Sequence, residues 1–170
     1  PFQKWEKFVS EESEYLSFEN TPLCSFFIVL YMIQEKTKIK MDIADVKNKL
    51  IEQYNALKST HYTKILNILS KQGNERLAVK LQKSEIDFES MILDEEYTLS
   101  LFDLFLLCNV FELPVILFSD NKFKNMGGNI DWMVLSGNIE TDNFYFVYSS
   151  SSVGKTESYL IQPAIPYNQI

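Results

Sequence analysis

Apolar residues recur at helical spacing through the first two thirds of this 170-residue chain and form short continuous runs in the last third. The first helix is predicted over residues 22–35, where apolar positions surround the helix on most sides. Asp42 is the predicted N-cap of a second helix, whose apolar residues return every three or four positions. Further helices are predicted over about 60–71 and 74–83, a short one is predicted after Ser84, and a last one over 99–112 has Thr98 as its N-cap.

The last third of the chain predicts strands. Residues 114–118 combine β-branched and aromatic side chains, which is typical of a buried strand. Three further strands are predicted over 132–135, 144–148 and 157–162, with turns at 136–138 and 149–154. Helices first and strands last is the order of an α+β fold, in which helices pack on a small, mostly antiparallel sheet.

The segment that precedes the first helix is acidic and carries scattered aromatic residues. We expect residues 1–21 to form an irregular or partly helical N-terminal arm. No composition shift or long linker divides the rest of the chain, and its apolar content of 46% is enough for a full core. The sequence therefore predicts a single domain over 1–170.

Charge and cysteine content narrow the function classes. The net charge of −7 argues against nucleic acid or an anionic membrane as the main partner, since phosphate contacts need clustered Lys and Arg. Two cysteines cannot form a disulfide framework and fit a reducing compartment. The sequence has no signal-peptide pattern and no apolar run long enough to span a bilayer. We therefore expect an intracellular protein without a membrane span.

Cys24 is the candidate nucleophile of the sequence. It lies in the first turn of the predicted apolar helix, with Thr21 as the expected N-cap and Pro22 at the first helical position. The free N–H groups and the positive end of the helix dipole favour the thiolate, which is the nucleophilic form of the side chain. Taken alone, a cysteine in such a helix is more often a packed core residue than a nucleophile.

The sequence gives weaker support for other functional sites. Gly154-Lys155-Thr156 lacks the earlier glycine and the following helix of a phosphate loop. One histidine, His61, and two separated cysteines give no metal-ligand spacing, so we expect neither a metal nor another cofactor. His61 is expected to be a solvated or capping residue. Asp103, within an apolar helix, is expected to find a hydrogen-bond donor, and Cys108 is expected in the core.

The order of these segments resembles the ovarian-tumour (OTU) family of cysteine proteases, which are mostly deubiquitinases with a papain-like fold. Cys24-Ser25-Phe26 at the start of a buried helix is similar to the family's nucleophile segment. The helix at 98–112, followed by the strand at 114–118, resembles its helix-then-strand segment, and Asn143-Phe144-Tyr145 resembles the late strand that begins with the base histidine. Residues 65–119 look most similar to the OTU-like domains of large DNA viruses.

The resemblance implies a Cys-His dyad, and this chain departs from it. The family's Asp stands three residues before the nucleophile, where this chain has Thr21. The base histidine is expected at Asn143, and asparagine cannot carry a proton at neutral pH. Since the imidazole holds the thiolate and protonates the leaving amine, its loss costs several orders of magnitude in rate.

Three functions are therefore open. The first is a catalytically degenerate OTU-like domain that binds ubiquitin, a ubiquitin-like modifier or other viral or host proteins, or that acts as a scaffold. The second is a working cysteine protease that uses a non-standard base for Cys24. The third is a purely structural interaction domain without a link to ubiquitin. If the chain is viral, the host cytoplasm or the virion is its expected location.

Overall fold

A computed structural model of the chain describes residues 14–18, 23–71, 74–119, 132–152 and 155–162. Its elements follow the order strand, five helices, four strands. The helices of the described residues are α1 (Cys24–Thr37), α2 (Ile43–Lys71), α3 (Glu75–Gln82), α4 (Phe88–Leu93) and α5 (Leu101–Val110). The strands are β1 (Glu14–Phe18), β2 (Val115–Ser119), β3 (Trp132–Ser136), β4 (Tyr145–Ser152) and β5 (Lys155–Gln162). The mixture of helices and one small sheet confirms the predicted α+β class.

The strands form one sheet in the order β1-β5-β4-β2-β3. β1 with β5, β4 with β5 and β2 with β3 are antiparallel, whereas β2 and β4 are parallel, with Val115 opposite Tyr145. The sheet is therefore mostly antiparallel, as predicted. β3 and β1 are the outer strands among those described.

The core lies between the helices and one face of the sheet. Val115 and Leu117 of β2 and Tyr145 and Val147 of β4 belong to a buried cluster that includes residues of all five helices. Neighbouring positions point to the opposite face because side chains alternate along a strand. The Phe118 and Phe146 rings on that face pack edge to face at 5.1 Å and are also buried.

Several helix boundaries differ from the prediction. The helices predicted on either side of residue 60 are one element, α2, which contains a local break at His61, where φ is −129° and ψ is 19°. The N-cap of α5 is Ser100 and not Thr98, because Ser100 accepts from the N–H of Asp103 while the Asp103 side chain accepts from the N–H of Ser100. This reciprocal capping box fixes the helix start two residues later.

Two predictions about strands are wrong. Residues 14–18 of the expected irregular or helical arm form β1, whose five residues pair with β5 from Glu14 opposite Gln162 to Phe18 opposite Ser158. The predicted turn over 149–154 is too long, since β4 continues to Ser152 opposite Lys155. Serine-rich and acidic segments have weak strand preference, and pairing with a distant partner overrides it.

Candidate functional site

Cys24 is the first residue of α1 and is only 3% exposed. The N-cap is Leu23, which makes no side-chain capping bond, so α1 begins at Cys24 and not at Pro22 as predicted. Thr21 and Pro22 lie outside the described residues. The thiol is therefore in the first helical turn, as predicted, and it is buried there.

Asn143, at the expected position of the base, lies on the surface. It is exposed in the connection between β3 and β4, two residues before β4 begins. Tyr145 at the start of β4 is hydrogen-bonded to the side chain of Glu35 in α1. Glu35 follows Cys24 by eleven residues, or about 16 Å along the helix axis. The structure therefore gives Asn143 an exposed loop position.

His61, the one histidine of the chain, is exposed at the break in α2. Its Nδ1 lies 2.6 Å from the hydroxyl oxygen of its neighbour Thr60. The ring therefore takes part in a local polar contact on the surface. This agrees with the solvated role expected from the sequence.

The most developed polar arrangement in the described part of the chain is a carboxyl cluster of Tyr54, Tyr97, Ser100 and Asp103. Asp103 is completely buried. Its Oδ1 accepts from the Tyr54 hydroxyl, and its Oδ2 accepts from the Tyr97 hydroxyl at 2.5 Å and from the Ser100 N–H at 2.9 Å. The expected donor for Asp103 is thus confirmed, and there are three of them.

Burial dominates the electrostatics of the carboxyl cluster. Burial raises the pKa of Asp103, while the bonds from Tyr54, Tyr97 and Ser100 lower it. The pKa values of Tyr54 and Tyr97 are also raised, first by burial and then by the charge of Asp103, so both hydroxyls keep their protons and remain donors. The sequence indicated Asp103 through its apolar surroundings, but Tyr97 gave no sequence signal because its role depends on where the loop lies.

A second polar contact joins α1 to the sheet. Burial, followed by the charge of Glu35 and the hydrogen bond with it, raises the pKa of Tyr145, and Tyr31 adds a smaller effect. The Tyr31 ring also packs edge to face on Phe18 of β1 at 6.4 Å. These contacts orient the second half of α1 on β1 and β4.

Cys108 is the other thiol of the chain and lies in α5, fully buried. Burial raises its pKa to about 12, which keeps the sulfur protonated at neutral pH. The expectation of a small core residue is confirmed. Any nucleophilic chemistry of a cysteine in this chain therefore has to come from Cys24.

A shallow groove of about 430 Å³ lies between the segment 38–42, α2 and the end of α5. It is lined by residues that include Ile39, Met41, Asp45, Lys49, Glu52 and Phe111. Opposite charges alternate along it, and none of the predicted site residues contributes to it. Its chemistry does not point to an anionic or a cationic ligand.

No protein-family model, curated protein or solved structure matches this chain. In the described ranges, no group of three or more His, Cys, Asp or Glu side chains has a geometry that could hold a metal ion. None of the helices in those ranges is both long and apolar enough to cross a membrane.

Proposed function

We propose that this chain is a catalytically degenerate OTU-like domain that acts by binding protein, with ubiquitin or a ubiquitin-like modifier as the partner. The observation that carries the proposal is the combination of a buried Cys24 in the first turn of α1 with a sole histidine that contacts Thr60 on the surface. In a cysteine protease an imidazole protonates the leaving amine, and the His61 imidazole of this chain is hydrogen-bonded to Thr60.

The α+β architecture agrees with the proposal at a coarse level. An apolar helix that begins at Cys24, a helix that leads into the buried strand β2, and a late strand β4 after Asn143 follow in the order that the resemblance implies. The papain-like arrangement and the link to ubiquitin rest on that resemblance. The net charge of −7 favours a partner with a basic face.

Reaction with an electrophilic probe derived from ubiquitin tests the loss of catalysis. We expect no covalent labelling of the folded wild type, since attack requires a thiolate that is held ready by a base. The matched variants are Cys24→Ala and Cys108→Ala, each of which retains one thiol. Labelling that disappears in Cys24→Ala and persists in Cys108→Ala contradicts the proposal and identifies a working cysteine protease with a non-standard base.

Titration of the isotope-labelled domain with unlabelled ubiquitin, followed by NMR, tests binding independently of catalysis. We expect saturable shifts confined to one face of the domain, with the same affinity in the wild type and in Cys24→Ala. The absence of shifts at high micromolar ubiquitin contradicts the proposed partner. That result favours an interaction domain without a link to ubiquitin.

A further inference from the structure

The carboxyl cluster joins three parts of the chain at one buried point. Tyr54 belongs to α2, Tyr97 to the segment between α4 and α5, and Asp103 to the first turn of α5. Asp103 is fully buried, so its carboxyl group does not contact water. Its described partners are two hydroxyl groups and one N–H, all of them uncharged. Any change in the charge of Asp103 therefore acts on all three elements.

The same side chains can also hold one more proton. The Tyr54 hydroxyl is hydrogen-bonded to Oδ1 of Asp103, while Oδ2 accepts from Tyr97 and from the Ser100 N–H. An Asp103 protonated on Oδ1 can donate to the Tyr54 oxygen across the same contact, and Oδ2 continues to accept from its two donors. The neutral form thus keeps all three contacts, whereas the ionised form leaves a negative charge in the core with uncharged donors alone.

We propose that Tyr54, Tyr97 and Asp103 form an acid-stabilised latch, which holds the segment 94–100 and the start of α5 on α2 more firmly when the carboxyl group carries a proton. This device is independent of the proposed ubiquitin binding, because none of its residues belongs to the predicted site. It makes the stability of the domain depend on pH through one buried carboxyl group.

The charged groups around the latch are engaged elsewhere or exposed. Lys47, two turns before Tyr54 on α2, donates from its ammonium group to the backbone oxygen of Asp94. The side chains of Asp94, Glu95 and Glu96 are exposed. Between α5 and β3, the uncharged Asn109 side chain donates a hydrogen bond to the backbone oxygen of Leu135.

The sign of the pH dependence follows from burial. Because burial raises the pKa of Asp103 in the folded state, the contribution of the latch is complete below the unfolded aspartate pKa of about 4. It is lost as the pH rises through the folded-state pKa. Between the unfolded-state pKa and the folded-state pKa, the folding equilibrium constant falls by up to about tenfold per pH unit relative to a chain without the titrating group.

Urea unfolding of the wild type and of Asp103→Asn between pH 4 and pH 9 tests the latch. Asparagine has the size of aspartate and offers both a donor and an acceptor, but it does not titrate. We expect the ratio of the two folding constants, wild type over variant, to fall as the pH rises, with a slope of up to about tenfold per unit. A ratio that is constant or rises with pH overturns the latch.

A second measurement does not depend on the folding of that variant. The side-chain carboxyl carbon of Asp103 is followed by NMR during a pH titration of the wild-type protein. A midpoint above the ordinary aspartate value of about 3.9 supports the latch, and a midpoint at or below that value overturns it.

Two tyrosine variants then test the network itself. Tyr54→Phe removes a donor that lowers the pKa of Asp103, so we expect its titration midpoint to move to higher pH. Tyr62→Phe is the matched control, since the Tyr62 hydroxyl on the same helix donates to the backbone oxygen of Leu81. A midpoint that does not respond to Tyr54→Phe, or that responds equally to both variants, overturns the network.

Discussion

The ammonium group of Lys47 lies 5.7 Å from the ring centroid of Phe26 and donates a hydrogen bond to the backbone oxygen of Asp94 at 2.9 Å. Lys47 is buried, with only 8% of its surface exposed to solvent. One side chain on α2 thus contacts the beginning of α1 and the end of α4. Since Phe26 follows Cys24 by two residues, this contact also helps to position the candidate thiol.

Removing the Lys47 side chain should destabilise the domain. Lys47→Ala loses a charge-assisted hydrogen bond, a cation–π contact and the packing of the buried stem, and it leaves the Asp94 oxygen without this donor. We expect the free energy of unfolding to fall by about 2–3 kcal/mol. Urea unfolding at pH 7 measures this loss.

Lys49 on the same helix provides the control for Lys47. Its ammonium group lies 3.6 Å from a carboxylate oxygen of Glu52, and both side chains are substantially exposed. A surface ion pair of this kind contributes little, so Lys49→Ala should cost at most about 0.5 kcal/mol. Equal losses for the two variants would show that Lys47 acts merely as a surface lysine.

The backbone conformation of Gly137 and its close neighbours both disfavour a side chain at this position. Its φ of +108° is a conformation that residues with a side chain rarely adopt. A Cβ atom added there would lie 2.8 Å from Cβ of Pro114 and 2.9 Å from Cε1 of Phe144. We expect Gly137→Ala to reduce the free energy of unfolding by about 2–4 kcal/mol, from backbone strain and overpacking together.

Ile139→Ala tests whether that effect belongs to the position or to the turn as a whole. Ile139 lies in the same turn and is 40% exposed. Its truncation should change the free energy of unfolding only slightly, because little buried contact is lost, and urea unfolding measures both variants. A loss for Gly137→Ala no larger than for Ile139→Ala would argue that the connection between β3 and β4 adapts freely to the added methyl group.

The sequence predicted the elements that carry strong local patterns. The apolar helix at Cys24, the amphipathic α2 and the buried strand β2 have periods or residue types that specify them without a partner. The acidic β1 and the serine-rich end of β4 have no such pattern. They are strands because Phe18 pairs with Ser158 and Ser152 with Lys155, and these partners are visible only in the folded chain.

For each of the polar contacts of α5, the sequence predicted one of the two partners but not the other. Asp103 and Asn109 are conspicuous as the polar residues of an apolar helix, and a donor for Asp103 was expected. Their partners come from elsewhere in the chain: Tyr54 lies 49 residues before Asp103, and the Leu135 oxygen that Asn109 reaches lies 26 residues after it. Spacing along the chain therefore indicated which residue needs a partner, but not which residue supplies it.

Asp87 should respond to pH in the opposite direction to Asp103. Its carboxylate caps α4 and accepts from the N–H of Ser90 at 2.7 Å, and this bond, followed by that of the Ser90 side chain, lowers its pKa. A lowered folded-state pKa means that the stabilisation is present above about pH 4 and is lost as the pH falls through the folded-state value.

Substitution of Asp87 with alanine makes this measurable. Asp87→Ala should lower the melting temperature at pH 7, because α4 loses its N-cap, and the difference from the wild type should shrink as the pH falls below about 4. Asp87→Asn is the control, since asparagine caps a helix without a charge and its effect should be smaller at pH 7. A difference for Asp87→Ala that grows on acidification contradicts this assignment.

Cys108 should be inert in the folded domain. With its pKa raised to about 12 by burial, only about one molecule in 10⁴ carries the thiolate at pH 8. In Cys24→Ala, which retains Cys108 alone, we expect no reaction with a disulfide reagent at pH 8 over the time in which the unfolded chain in urea reacts completely. Cys108→Ala measures the accessibility of Cys24 under the same conditions. Equal rates for folded and unfolded Cys24→Ala would contradict this prediction and show that α5 opens readily.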